Sequence, residues 1–488
     1  MKFRVLPIAF ILCVVLPAFA RTDSSGMQIS TKSPQARTFF EQGLQKMGLL
    51  HFQAGLENWR KATDADPHFA LAHILLTFFS EDPTEQVRER EKALANRQYA
   101  GAEEQLIIDW LANASQSNLI PAIQAMNSAL ERYPQDKYLA WLAGWWLELN
   151  QNQSARALVM FERVIKIDPK FADAWNEAAY CYAKAGSFDK AFAAIRHYAE
   201  LVPKEANAQD SYAELSRMAG RFDEALRHYR MSLKIDPSFH ESQLGLGDTY
   251  ALMGDEPRAR AEYAIAIEEG TPAQKVLWGL QWAATYIRER DYRGADQAYR
   301  KIAQQAHEIG LANYEAEAYR AMALYQKDSA PALELLDKAE AELRGGHNIP
   351  QVLVAEELAA VLRVRTERAV RDGSLTQAKI ELHKLEDLSS ANGDLVVEAS
   401  YHAAAGAVAL AEGDNAQAIS YLEDDSANPI SMRELVVAYE RSGKTEESSR
   451  MSAALSALNV PQVEQALVVP EFRRQRADGS SDSTSLPF

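Results

Sequence analysis

The chain has little cysteine, glycine and proline, and it lacks an excess of basic charge. Only 2 of its 488 residues are cysteine, so a disulfide framework is excluded. With 23 glycines and 18 prolines, long structureless stretches are not expected. The net charge of -16 argues against non-specific binding to nucleic acid or anionic lipid, because both attract basic patches. What the chain does have, 47% hydrophobic residues and abundant Ala, Leu, Glu, Lys, Arg and Gln, is typical of a helical globular protein.

The first twenty residues predict a signal peptide. Two basic residues precede an apolar stretch at 5–15, and Ala18 and Ala20 supply the small side chains that a signal peptidase needs. We therefore expect cleavage after Ala20 and a mature protein that is periplasmic or secreted. A membrane anchor is disfavoured because the apolar stretch is shorter than the ~20 residues of a spanning helix. A lipoprotein at Cys13 is disfavoured because the bulky Leu12 precedes that cysteine.

Three prolines in the middle of the chain lie 34 residues apart, and they set the frame of an internal repeat. They are Pro169, Pro203 and Pro237, and Thr271 stands at the next position in phase. Proline cannot continue a helix, so each of these positions predicts the end of a unit. The apolar residues within each unit recur three or four apart, which places them on one face of each helix.

Each unit also carries a turn signal at its centre. Gly186, Gly220 and Gly254 follow a first helical run and are suited to the left-handed conformation that ends a helix. Ala191 and Ala225 come five residues later, where a small side chain lets the second helix approach the first. The pattern predicts helix, turn, helix and stop in every unit.

This arrangement resembles the tetratricopeptide repeat family in its period and in its order of aromatic, Gly/Ala, Tyr, Ala, aromatic and Pro positions. Four consecutive units at 138–271 carry the resemblance most specifically. It implies an all-α fold, an α-solenoid (superhelix) of antiparallel helix pairs, with roughly nine to eleven pairs and over about two-thirds of the residues helical. It also implies a concave face that binds a protein or peptide.

The same signals predict how the chain is organised. The segments that we expect are a signal peptide at 1–20, a flexible linker at 21–34, a repeat-like unit at 35–79, a divergent helical segment at 80–137, four tandem units at 138–271, repeat-like units at 272–344, divergent C-terminal repeats at 345–475 and a disordered tail at 476–488. The segments 80–137 and 345–398 keep helical periodicity without the signature, so they are either divergent units or inserted helical pairs.

Motifs for catalysis and for cofactors are missing from the sequence. It has no phosphate-binding glycine loop, no dinucleotide fingerprint, no zinc-protease motif and no nucleophile elbow. His68 and His73 are five residues apart, a spacing that separates them around a helix. Cys181 lies in an apolar helical run and is expected to be a buried small side chain. We therefore expect no enzyme activity, no metal and no cofactor.

The inner-face offsets of the repeats provide the candidate partner-binding residues. They are Trp146, Asn176, Tyr180, Lys184, Asp210, Glu214, Arg217 and Asp248. Trp146 is five residues after Trp141, the usual packing position, so it either enters the groove or packs in the core. Aromatic and polar groups together suit an extended or helical partner segment.

Three functional interpretations follow. The first is a non-catalytic scaffold that binds a protein partner in the concave groove outside the cytoplasm. The second is an accessory subunit of an envelope assembly or secretion system. The third is a small-ligand binder or enzyme that uses the divergent segments, and a closed pocket with converging titratable groups would favour it.

Overall fold

The computed structural model describes residues 29–346 and 348–477, and all regular structure in these ranges is helical. The signal peptide at 1–20 and nearly all of the tail at 476–488 lie outside them. Two short 3-10 helices, Arg97–Tyr99 and Glu423–Asp425, accompany the α-helices. The α-helices are α1 Pro34–Met47, α2 Phe52–Ala65, α3 Ala70–Phe79, α4 Pro83–Asn96, α5 Ala102–Ala114, α6 Leu119–Arg132, α7 Lys137–Leu149, α8 Ser154–Ile167, α9 Ala172–Lys184, α10 Phe188–Leu201, α11 Ala206–Met218, α12 Phe222–Ile235, α13 His240–Met253, α14 Glu256–Glu269, α15 Pro272–Arg288, α16 Tyr292–Glu308, α17 Ala312–Tyr325, α18 Ser329–Gly345, α19 Gln351–Arg371, α20 Leu375–Asn392, α21 Leu395–Glu412, α22 Asn415–Leu422, α23 Pro429–Arg441, α24 Thr445–Ser456 and α25 Val463–Ala477.

The helices pack as successive pairs, which confirms the α-solenoid. Each odd-numbered helix up to α23 packs against the even-numbered helix that follows it, and odd-numbered helices also contact one another from pair to pair. The described residues thus hold twelve pairs from α1 to α24, followed by the single helix α25. The expectation of nine to eleven pairs was too low, because the divergent segments also fold into regular helices.

The turns of the central repeats have the predicted geometry. Gly186, Gly220 and Gly254 have φ values of 72°, 74° and 83°, in the left-handed region that side chains disfavour. Each glycine ends the first helix of its pair, and the chain then reverses into the second helix. Ala191 and Ala225 are fully buried where the two helices of a pair meet. The repeat pattern in the sequence therefore predicted the geometry of the helix pairs correctly.

The two segments without the repeat signature are continuous with the solenoid. Within 80–137 lie α4, α5 and α6, and α4 pairs with α3, which precedes that segment. Within 345–398 lie the long helices α19 and α20, with 21 and 18 residues. The boundary predicted between 344 and 345 falls at the end of α18, and α18 packs against α19.

The solenoid winds far enough for early repeats to touch later ones. The imidazole of His51, before α2, lies 2.5 Å from the carboxylate of Glu205, before α11. The amide of Gln274 on α15 donates to Glu81 at 2.9 Å. The backbone N–H of Val352 donates to the carbonyl of Ser115 at 3.3 Å. These contacts join successive turns of the superhelix along its edge.

In the described part of the chain, no helix combines the length and the apolar character that crossing a bilayer requires.

Candidate partner-binding groove

The inner face of the solenoid is formed by the odd-numbered helices, and α25 lies against that face. α25 packs on α15 and α23, and its contact with the even-numbered α24 is minor. The candidate residues lie on α7, α9, α11 and α13, upstream of the main α25 contacts.

Trp146 is a packing residue in this structure. Its side chain is 2% exposed, and its ring meets the ring of Trp110 edge to face, with centroids 5.7 Å apart. Of the two roles that the sequence left open for Trp146, the structure places it in the core between α5 and α7.

Asn176 and Lys184 on α9 are engaged by neighbouring carboxylates. The amide of Asn176 is buried and donates to Glu177 at 2.8 Å. The ammonium of Lys184 is ion-paired with the buried Glu148 of α7. Lys184 itself is exposed, so it is accessible to a partner.

Four of the predicted residues form one polar network across three successive repeats. The hydroxyl of Tyr180 donates to Glu214 at 2.9 Å. Arg217 donates to the same carboxylate at 2.7 Å, and its guanidinium lies 4.0 Å from Asp248. Burial disfavours the charge of Arg217, but Tyr229, Asp248 and Glu214 hold its pKa above the usual value. The network shows that these offsets converge on one face.

Asp210 is buried at the edge of this network. Its carboxylate accepts a hydrogen bond of 2.6 Å from the hydroxyl of Ser242 on α13. Burial raises the pKa of Asp210 well above its usual range, and the nearby charge of Glu214 adds to that effect. Asp210 therefore ties α11 to α13 inside the solenoid.

The chain's own C-terminal segment contacts the predicted network. Arg217 donates to the backbone carbonyl of Asn459 at 3.2 Å. The amide of Gln281 on α15 donates to the carbonyl of Pro461 at 3.4 Å. The residues leading into α25 thus lie along the inner face, hydrogen-bonded through their backbone as a bound peptide would be.

α25 itself is held by an apolar centre and charged ends. Leu467, Val468, Val469 and Phe472 are buried in a core cluster shared with helices α15 to α19 and α23. Near its start, Glu464 accepts from Arg320 of α17 at 3.4 Å.

Further along α25, Glu471 accepts from Arg290, just after α15, at 2.5 Å. The sequence interpretation missed this docking. The run 466–470 is apolar and lies outside the repeat signature, and that was the available signal.

The ionic character of the inner face continues beyond the predicted residues. Arg320 also donates to Glu357 of α19 at 2.7 Å, with both side chains largely buried. Burial raises the pKa of the neighbouring Glu317 to about 7, and the charge of Glu357 contributes. Buried ion pairs of this kind specify a geometry more than they stabilise it.

Several other reactive or metal-ligating groups of the described residues are buried or contact neighbouring side chains. Burial raises the pKa of the Cys181 thiol, which makes it a poor nucleophile. His73 lies 2.6 Å from Glu89, and His68 lies 2.8 Å from the side chain of Asn96. His307, Glu315 and Glu342 have ligand atoms within 4.8 Å of one another. His307 and Glu315 are hydrogen-bonded at 3.0 Å, and this bond accounts for their proximity.

Two family models, both described as tetratricopeptide repeat, match residues 148–215 and 217–273. The chain contains tetratricopeptide repeats. The matched repeats include the helices α8 to α14, which carry most of the polar network described above. No curated protein matches the chain.

Several solved structures are similar to the chain. A chain of the crystal structure of the APC/C hetero-tetramer Cut9–Hcn1 shares 15% identity, with 86% of this chain and 76% of that chain covered and a TM-score of 0.41. A tetratricopeptide repeat protein from Parabacteroides merdae shares 17% identity, with 62% and 98% covered and a TM-score of 0.36. PilW, a type IV pilus biogenesis factor, shares 16% identity, with 50% and 98% covered and a TM-score of 0.30.

Proposed function

We propose that the protein is a non-catalytic scaffold that holds a helical segment of a partner protein on the inner face of its repeats, outside the cytoplasm. Tetratricopeptide repeats commonly serve as interaction surfaces, and helix-in-groove docking is a recurrent recognition mode. The observation that carries the proposal is that this face already holds a helix, α25.

The contacts of α25 define the chemistry of the partner. The inner face offers Arg320 and Arg290 to carboxylates and an apolar floor between them. A partner helix that fits this face has an apolar stretch of about two turns with an acidic residue near each end. Such a helix competes with α25 for the same arginines.

A peptide of residues 458–477 tests this interpretation. Val469 is fully buried on α25, so the substitution Val469→Asp is expected to undock α25 from the inner face. Val159→Asp is the matched control, because Val159 on α8 is 56% exposed. Binding of the labelled wild-type peptide to each full-length variant is measured by fluorescence anisotropy.

The V469D protein should bind the peptide at least about tenfold more tightly than the wild type and V159D, whose inner faces are occupied. The peptide that itself carries V469D should not bind. Equal binding by all three proteins would show that the peptide binds outside the inner face, and it would contradict the proposal. Loss of helical circular dichroism in V469D would show that α25 is an inseparable part of the core, which also counts against it.

Two alternatives lead to different experiments. An accessory subunit of an envelope assembly would co-purify in stoichiometric amounts with a membrane complex. A small-ligand binder requires an enclosed site with converging charges, and the divergent helix α19 lines a partly open cavity with several charged side chains.

A further inference from the structure

A cavity of about 340 Å³ lies between α17, α19, α23 and α25. Its size falls at the lower end of small-molecule sites. The charged side chains that line it are Glu367, Arg368 and Arg371 of α19 and Arg433 and Glu434 of α23. Its apolar lining includes Leu324 of α17 and Leu467 and Val468 of α25. We call it the arginine cavity. It is separate from the Tyr180–Asp248 network.

Arg368 is a buried cation that forms no ion pair with a carboxylate of the described residues, although the charge of Asp372 acts on it. Its side chain is 2% exposed, and its two terminal nitrogens donate to the backbone carbonyls of Gln326 and Ala323, at 2.8 and 2.7 Å. These carbonyls belong to the C-terminal end of α17, so Arg368 caps that helix. Its Nε makes no hydrogen bond to any described residue. Neutral carbonyls compensate a buried guanidinium only in part.

Arg371 and Arg433 also line the cavity, and Arg433 is engaged by another residue as well. Arg371 is an exposed residue that lines the cavity, and no hydrogen bond or ion pair joins it to another residue in the described part of the chain. Burial, and then the charge of Arg371, lower the pKa of Arg368 to about 10. Desolvation by burial, and then the charge of Arg433, lower the pKa of Arg371, whereas the charges of Glu367, Asp372 and Glu434 raise it.

The two carboxyl groups of the cavity do not supply that counter-charge in full. Glu367 is ion-paired with Arg363 at 2.7 Å, and Arg363 is outside the cavity lining. The Oε2 atom of Glu434 is buried and has no hydrogen-bond partner among the described residues. Burial, and then the charge of Glu367, raise the pKa of Glu434 to about 7, so it is partly protonated near neutral pH.

We propose that the arginine cavity binds a small oxyanion, a phosphate or a carboxylate group, which is held by Arg368, Arg371 and Arg433. Guanidinium groups are the preferred partners of these anions because their N–H groups match two oxygens at once. Leu467 and Val468 of α25 close one side, so a bound anion lies between α25 and the repeats. Occupancy of the cavity therefore strengthens the docking of α25.

The test compares phosphate, sulfate and succinate with chloride at equal ionic strength, on the full-length protein. Binding is measured by calorimetry, and the docking of α25 by hydrogen exchange. Arg371→Gln and Arg433→Gln are the cavity variants, and Arg371→Lys keeps the charge but loses the paired donors. Arg450→Gln is the matched control, because Arg450 is exposed on α24 and outside the cavity lining.

The wild type and R450Q should bind at least one of the three oxyanions, and exchange in α25 should slow when it binds. R371Q and R433Q should each weaken that binding by about tenfold or more, with R371K in between. Binding of phosphate alone would indicate an inorganic or phosphoryl ligand, and binding of succinate would indicate an organic acid. An equal response to chloride, or unchanged affinity in both cavity variants, would overturn the proposal.

A second readout uses pH, with sulfate as the probe because its charge is constant across the range. Protonation of Glu434 removes a negative charge from the cavity and provides a donor, so affinity should rise as the pH falls through about 7. Glu434→Gln should bind at every pH as the wild type does at low pH. The charged groups around Glu434 are Arg363, Glu367, Arg368, Arg371, Asp425 and Arg433. If sulfate binding by E434Q still depended strongly on pH, another of these charged groups would be its cause.

Discussion

The guanidinium of Arg320 on α17 donates to the carboxylate of Glu464 on α25, across 144 residues of sequence, at 3.4 Å. The same guanidinium holds Glu357 of α19 at 2.7 Å. One buried arginine thus joins two neighbouring repeats and the C-terminal helix. The repeat signature alone gave no reason to expect such a junction.

The contribution of Glu464 is measurable by its removal. Glu464→Ala should weaken the docking of α25 by about 1–3 kcal/mol, because a hydrogen bond to a charged group is lost while Arg320 keeps Glu357. Hydrogen exchange in α25 should accelerate, with little change in α9 to α13. Glu446→Ala on exposed α24 is the control. Unchanged protection of α25 in E464A would show that the apolar contacts alone hold the helix.

The left-handed turn at Gly254 should be sensitive to any side chain. Gly254 has φ 83° with open space around it, so Gly254→Ala adds conformational strain without a clash and should cost about 1–2 kcal/mol. Gly345→Ala is the comparison, because Gly345 ends α18 with open space and no positive φ. That substitution should be neutral or stabilising by up to ~1 kcal/mol. Urea unfolding measures the stability of both variants. Equal midpoints of their unfolding transitions would contradict the left-handed turn at Gly254.

Asp173 should make stability depend on pH. It is fully buried on α9 and accepts from the indole N–H of Trp145 at 3.1 Å, and burial raises its pKa to about 7. The folded protein then keeps a proton that the unfolded chain releases, so stability falls as the pH rises from about 4 to about 7, by at most ~1.4 kcal/mol per pH unit.

Asp173→Asn tests this dependence. The asparagine keeps the acceptor for the tryptophans but does not ionise, so the stability advantage of D173N should grow between pH 5 and pH 8. Thermal unfolding across that range measures it. Asp223→Asn, exposed on α12, should show a constant difference from the wild type. A constant difference for D173N as well would place its ionisation outside this window.

Export of the protein can be checked directly at the N-terminus. Cleavage after Ala20 predicts a mature chain that begins at Arg21, as read by N-terminal sequencing of the exported fraction. Replacing Ala18 and Ala20 by bulky charged residues should block processing and leave a larger precursor. Recovery of unprocessed protein in the cytoplasm from wild-type cells would contradict the proposed location.

The sequence predicted the repeats because their signals are local. The glycine turns and the buried alanines depend on contacts within one helix pair, and they recur every 34 residues. The polar network from Tyr180 to Asp248 was also predictable, since equivalent offsets in successive repeats face the same side. The burial of Trp146 was not, because it depends on Trp110, which lies on a different pair in a segment without the signature.

The sequence by itself determined the repeating unit and the solenoid architecture. Only the tertiary structure decided what occupies that face. The position of α25 and the shape of the arginine cavity depend on how far the superhelix winds, and that is the sum of small rotations between successive pairs. No local sequence pattern determines this accumulated rotation. Contacts such as Arg320–Glu464 therefore form only when the whole chain is folded.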